Sequence, residues 1–248
     1  MAGQQRGIQT VELSGEILKL VCSSNKTLSL SEIAEFLELA PGTAYKYLVS
    51  LQRTGLLKRN ESTLEFEAGP LSLRLGLSKI NQDEKITQSR QALAAIAEKY
   101  EVNVFTSLWT DLNGPTVVFY REFAGFFNIG FRQGMHLALS TATGRLFAAY
   151  KSEEDSDVLS LGPYAQQDAC FTDIGFQQEL AQIRSQGYSA LIDRPTPGIS
   201  SFAVPVLGAD RRIKFAITAF SKTVDLNAEK IQLIIDELIC AANRLKGA

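Results

Sequence analysis

The stretch from Leu30 to Gly55 reads LSEIAEFLELAPGTAYKYLVSLQRTG, and its pattern decides how the first part of the chain folds. Ser29 or Ser31 can cap a helix here. Glu32 follows Ser29 by three residues, the spacing of a capping box, in which hydroxyl and carboxylate each satisfy a backbone N–H of the first turn. Ile33, Ala34 and Leu37 then face one way at helical spacing. A brief connection, Glu38 to Pro41, leads to a second helix over about Gly42 to Thr54, which buries Ala44, Tyr47 or Leu48, and Leu51. Gly55 is placed to close that helix in the left-handed conformation.

Upstream, Leu13, Ile17, Leu18 and Val21 make one apolar stripe on a helix from about Thr10 to Ser23. Downstream, Leu56–Arg59 and Thr63–Glu67 are short extended runs, with Asn60-Glu61-Ser62 supplying turn residues between them. Helix, helix-turn-helix, hairpin is the order of a winged helix-turn-helix, and residues 1–70 are the right size for one. The local charge is uneven. From Pro41 to Arg59 the charged residues are Lys46, Arg53, Lys58 and Arg59, with no acid among them, whereas Glu32, Glu35 and Glu38 precede them. A positive element beside a negative one suits a nucleic-acid contact; two amphipathic helices with unrelated surface charge would look the same.

From Pro70 to Tyr100 the pattern is helical again, with a polar interruption at Asn81-Gln82-Asp83. Leu71, Leu73, Leu75, Leu77 and Ile80 spread apolar surface over more than one face. Residues 71–90 are therefore expected to form a linker helix that also dimerises, or else a core helix of the second domain. Residues 91–248 mix both element types. Strands are predicted at Val102–Thr110, Thr116–Glu122, Phe126–Arg132, Tyr188–Ile192, Ser201–Leu207 and Ile213–Phe220. Helices are predicted at Thr141–Tyr150, Phe176–Gln186 and Asn227–Leu245. Consecutive hairpins make the sheet mostly antiparallel, so the class is α+β.

Composition removes several function classes. No run approaches about 18 apolar residues, so a membrane span is not expected. The polar start, Met1 to Thr10, has no apolar h-region, and a cytoplasmic protein is expected. Cys22, Cys170 and Cys240 are far apart and odd in number, which gives neither a disulfide framework nor zinc spacing. A single histidine, His136, rules out a multi-histidine metal site. A net charge of −2 means that any DNA-binding surface is local. There is no Gly-x-Ser-x-Gly elbow, Walker loop or dinucleotide fingerprint, so no enzyme activity and no cofactor are expected.

Three stretches resemble the IclR-type transcriptional regulators. The first runs from Leu30-Ser31-Glu32-Ile33-Ala34-Glu35 through Thr43-Ala44-Tyr45-Lys46-Tyr47-Leu48-Val49-Ser50-Leu51 to Gly55. The second is Gly134 to Arg145, with its Thr141-Ala142 pair and Gly144-Arg145. The third is Ile183-Arg184-Ser185-Gln186-Gly187-Tyr188 with Gly198-Ile199-Ser200-Ser201-Phe202-Ala203-Val204-Pro205-Val206. The order and spacing match over about Thr10 to Leu245. The resemblance implies a winged helix-turn-helix joined by a helix to an effector domain of GAF-like fold. It also implies a homodimer or a dimer of dimers, bound to double-stranded operator DNA and controlled by a small-molecule effector.

The resemblance also implies the sites. The DNA-contact set is Gly42, Thr43, Tyr45, Lys46, Ser50, Arg53, Lys58 and Arg59. The first turn of a recognition helix points into the major groove, where Thr43 and Tyr45 reach phosphates or base edges. Lys46 stands where the family uses arginine. Without a bidentate fork it brings affinity more than base specificity. Arg53, Lys58 and Arg59 would clamp phosphates. The chain departs from the family at Ala40-Pro41-Gly42-Thr43, and Glu65 and Glu67 replace basic wing residues. The effector set is Asn128, His136, Ala142, Thr143, Asp193, Ser201, Thr218 and Phe220. A cationic His136 with Thr143, Ser201 and Thr218 would hold a carboxylate, and Phe220 would stack on a ring. Read alone, a lone histidine is more often a surface or satisfied core residue, and the motif alignment puts the pocket reading level with that one. A small-molecule enzyme, or a protein-binding adaptor with an incidental winged helix, are the alternatives to a ligand-controlled regulator.

Overall fold

The computed structural model describes residues 7–24, 26–110, 114–123, 131–151 and 174–246. The chain divides into two compact units, 1–82 and 83–248.

In the first unit, α1 (Gln9–Ser23), α2 (Leu30–Phe36) and α3 (Pro41–Arg53) precede a two-stranded antiparallel hairpin of β1 (Leu57–Arg59) and β2 (Phe66–Ala68). The capping box forms: Ser29 Oγ accepts from the Glu32 N–H, and the Glu32 carboxylate accepts from the Ser29 N–H at 2.8 Å. Ile17, Val21, Ile33, Leu48, Leu51, Leu57 and Phe66 close the core. Of the two candidates on α3, Leu48 is fully buried and Tyr47 packs partly against this core. Gly55, at φ +77°, ends α3. Its N–H donates to Gln52 O and the Leu56 N–H to Leu51 O, the paired bonds of a Schellman turn.

The second wing strand starts later than the predicted Thr63–Glu67. Asn60 Oδ1 accepts from the Ser62 and Thr63 N–H groups, and Leu64 takes a left-handed φ, so the turn uses residues that would otherwise extend. Pairing begins at Phe66, whose backbone also exchanges two hydrogen bonds with Leu28. The helix α4 (Pro70–Gln82) ends this unit. The expected 71–90 helix is in fact two, because the Asp83 carboxylate accepts from the Lys85 and Ile86 N–H groups and caps a new helix, α5 (Glu84–Tyr100).

The second unit is built on a five-stranded antiparallel sheet of order β4-β3-β7-β6-β5. Its strands are β3 (Asn103–Thr110), β4 (Gly114–Arg121), β5 (Ser189–Leu191), β6 (Ile199–Leu207) and β7 (Ile213–Lys222). Of the third strand expected at Phe126–Arg132, residues 126–130 lie outside the described residues, and Phe131 and Arg132 are not in a strand. One face carries α5 and the terminal helix α8 (Ala228–Leu245), with Ser89 Oγ of α5 3.0 Å from Thr106 Oγ1 of β3. The other face carries α6 (Ala142–Lys151) and α7 (Ile174–Gln186). Every residue from Ala142 to Ala149 is buried. Gly144 permits this, since a Cβ there would collide with the Ala138 carbonyl oxygen and Leu139 Cα.

A recognition helix and an effector cavity

The first candidate site is the outer face of α3. Pro41 at the first position pre-sets the helical φ and removes an N–H that would have no partner. Ala44, Leu48 and Leu51 anchor the inner face. Gly42, Thr43, Tyr45, Lys46, Ser50 and Arg53 are all exposed on the same helix. Among the described residues neither Lys46 nor Arg53 makes an ion pair. The wing cations are arranged differently. Arg59 Nε donates to Leu64 O at 3.0 Å and its guanidinium lies 5.6 Å from the Phe66 ring centroid, so the side chain pins the wing turn. Lys58 Nζ is 3.9 Å from Glu67 Oε1. The Nε–H of Arg59 is thus engaged within the wing, while its remaining guanidinium N–H groups stay able to meet a phosphate.

The second site is a cavity of about 320 Å³ in the sheet–α6 unit. Residues from four separate segments wall it: Phe105 of β3, Phe131 to Leu137 before α6, Thr141 to Thr143 at the start of α6, and Arg194 to Phe220 from the loop before β6 and from strands β6 and β7. Phe105, Tyr120, Phe131 and Phe220 form one aromatic cluster beneath it, with centroids 4.9 Å apart for Phe105–Phe131 and 5.2 Å for Phe131–Phe220. Thr143 Oγ1 and Thr218 Oγ1, both buried, are 2.9 Å apart. Each of the two hydroxyls therefore has a partner without a ligand, and the pair can rotate to offer one proton or one lone pair to the cavity.

Of the expected effector residues, Ala142, Thr143, Ser201, Thr218 and Phe220 line the cavity. His136 does not. Met135 and Leu137 line it, and the alternating backbone between them sends His136 the other way, where its Nδ1 lies 3.1 Å from Thr116 Oγ1. Burial pushes the imidazole below its ordinary value, which favours the neutral ring. The expected cationic carboxylate holder at His136 is thereby corrected. Asp193 is likewise a loop brace: its Oδ1 accepts from the Gly198 N–H at 2.6 Å and from the Thr223 hydroxyl at 3.3 Å. Asn128 lies outside the described residues. The sequence reading missed Arg194, the one cation in the described lining, which follows Asp193 directly. The missed signal was the Asp193-Arg194-Pro195-Thr196-Pro197 loop, where prolines stiffen the chain around a charged residue.

The two units correspond to two known domain families. Residues 11–61 match the IclR helix-turn-helix domain, and residues 127–246 match the IclR C-terminal domain of bacterial transcriptional regulators. The chain belongs to the IclR family. The glycerol operon regulatory protein of Streptomyces coelicolor is 29% identical over 213 residues, covering 84% of this chain and 81% of that one. The crystal structure of a transcriptional regulator from Alicyclobacillus acidocaldarius shares 22% identity at a TM-score of 0.79, covering 97% and 98% of the two chains. An IclR homologue from Microbacterium hydrocarbonoxydans, crystallised with 4-hydroxybenzoate, shares 14% identity at a TM-score of 0.73, covering 95% and 97%. As an IclR regulator, the chain binds DNA through its helix-turn-helix and small-molecule effectors through its C-terminal domain. Among the described residues no helix is long and apolar enough to cross a membrane.

Proposed function

We propose that this IclR regulator answers to a small, ring-bearing organic carboxylate held in the cavity of its second unit. The cavity carries the reading: aromatic walls at Phe105, Phe131 and Phe220 accept a ring, while Thr143, Ser201, Thr218 and Arg194 supply a few polar groups. A mostly apolar pocket with few convergent polar groups is the usual form of a small-molecule site, and its volume falls in the range of about 300–1,000 Å³. The Microbacterium homologue was crystallised with an acid of this class. The DNA contacts are assigned to α3, with Lys46 and Arg53 on phosphates and Thr43 and Tyr45 in the groove. The ligand changes operator binding only through different affinities for two states of the regulator.

The regulator acts as a dimer at least, and α4 supplies the contact. None of its residues is buried in its own unit, and Leu73, Leu75 and Leu77 are each about half or more exposed. A pair of half-sites also demands two-fold symmetry. Sedimentation of the protein and of Leu73→Glu should show a dimer or larger species that the charge dissociates. A monomer that binds selected DNA tightly would overturn the assignment.

The ligand reading is tested by thermal shift against ring carboxylates, with 4-hydroxybenzoate first. A binder at one hundred times its Kd stabilises the folded state by about 2.7 kcal/mol, a readily measured rise in Tm. A rise with ring-free polar compounds and none with any ring acid would overturn the reading.

A further inference from the structure

Resting on that cavity reading, we propose that Arg194 is the anchor for the ligand's carboxylate, and that Glu179 of α7 is the internal anion it exchanges for the ligand. Arg194 Nη2 donates to Glu179 Oε1 at 3.1 Å, and Arg194 is also part of the cavity wall. The other oxygen of Glu179, Oε2, is held by Arg145 Nη1 of α6. Arg145 is fixed in turn, because its Nε donates to Ser140 O and its guanidinium lies 5.3 Å from the Phe176 ring centroid. Among the described residues, three charged side chains thus make one chain of contacts with two cations and one anion, a surplus of one positive charge beside a lining whose other described residues are uncharged.

The two halves of this chain are not equal. The Arg145 side chain is 11% exposed and that of Glu179 is 23%, whereas Arg194 is 54% exposed. Charge pairs near water hold weakly, while those removed from it are held strongly once formed. The Arg194–Glu179 contact is therefore the one that opens. When it does, Glu179 keeps Arg145, so no anion is left bare. Arg194 then turns its fork to a carboxylate in the cavity, where a guanidinium makes two parallel hydrogen bonds. Asp193, the adjacent acid, is engaged on the other side through its Oδ1, which accepts from the Gly198 N–H and the Thr223 hydroxyl. The exchange removes a tie between the 194–199 loop and α7, so occupancy of the cavity is felt at that helix.

Matched acids and amides separate the parts of the idea. Benzoate with benzamide, and phenylacetate with phenylacetamide, are titrated into the full chain and followed by thermal shift and calorimetry. The wild type should prefer each acid over its amide by about tenfold, the size of one charge-assisted hydrogen bond. Arg194→Gln should bring acid and amide near parity, and Arg194→Lys should keep part of the preference. Glu179→Gln should raise affinity for the acids severalfold and leave the amides unchanged. That gain should vanish in the Glu179→Gln/Arg194→Gln double variant, because the competition runs through Arg194. A gain that survives in the double variant would mean Glu179 acts only through its field, and the exchange would be wrong. An acid preference that survives Arg194→Gln would place the anchor elsewhere. Equal binding of acid and amide by the wild type overturns this inference alone, whereas no binding of any of the four probes overturns the ring-carboxylate reading with it.

Discussion

The outer face of α3 and the cavity of the second unit are built in opposite ways. The first is a contiguous run on one helix, with the side chains proposed to meet DNA exposed and Ala44, Leu48 and Leu51 buried on the inner face. The second is assembled from four segments separated by up to about half the chain, and some of its residues are at once wall and core. Phe220 is 3% exposed and belongs to the same apolar cluster as Val117 and Leu137. Function and stability are therefore separable on α3 and entangled in the cavity.

The strongest way to break this contrast is to delete core volume behind the cavity. Leu146→Ala, at a fully buried position of α6, should cost about 2–5 kcal/mol in urea unfolding and weaken ligand binding with it. A loss of ligand affinity without loss of stability would separate what the packing joins. On the first unit, Ser29→Ala removes half of the capping box and should cost about 1 kcal/mol. It should weaken DNA binding only in proportion to the fraction unfolded.

The two units should also differ in acid. Hydrogen bonds from Lys26 and Ser29 hold the Glu32 carboxyl at about 2, below its ordinary 4.5. Its contribution is present above about pH 4.5 and is lost as pH falls toward 2. His136 is held below its ordinary 6.5 by burial, so its contribution is present above that pH and is lost as pH falls through the lowered value. Melting curves from pH 7.5 down to 3 should show loss in the second unit before loss in the first, and His136→Gln should flatten the earlier step. An unchanged early step in that variant would remove His136 as its cause.

The smallest stability effect belongs to Arg53→Ala, which should stay within about 0.5 kcal/mol of the wild type. The same variant should lower the salt slope of DNA binding by roughly one unit, as loss of one phosphate contact does. An unchanged slope would take Arg53 out of the interface.

This contrast also explains what could be read in advance. The helix-turn-helix was legible because its determinants are local: the Ser29–Glu32 spacing, the inward Ala44, Leu48 and Leu51, and the closing Gly55 sit within one short stretch. The sheet was legible as alternating runs, although its ends slipped by a residue or two. The cavity was only half legible. Thr143, Ser201, Thr218 and Phe220 came through family motifs, but the orientation of His136 depends on which face of an extended segment turns inward, and a one-residue change of phase reverses it. The wing hairpin was read, but the start of its second strand was not, for a related reason. Nothing in Asn60-Glu61-Ser62 shows that the turn will consume Thr63 and Leu64 as well, or that the Arg59 Nε–H will bond Leu64 O.

The all-buried α6 has a consequence for how such a sensor changes its ligand over evolution or in the laboratory. One wall of the cavity is fixed by Gly144, which leaves no room for a side chain, and by neighbours packed to the same density. The facing loop, from Arg194 to Gly198, is exposed along its whole length. Mutations on α6 are filtered out by folding before ligand choice can be selected, whereas those in the loop reach selection directly. Libraries confined to residues 194–199 should therefore yield altered effector ranges at a far higher rate than libraries of equal size on residues 142–147.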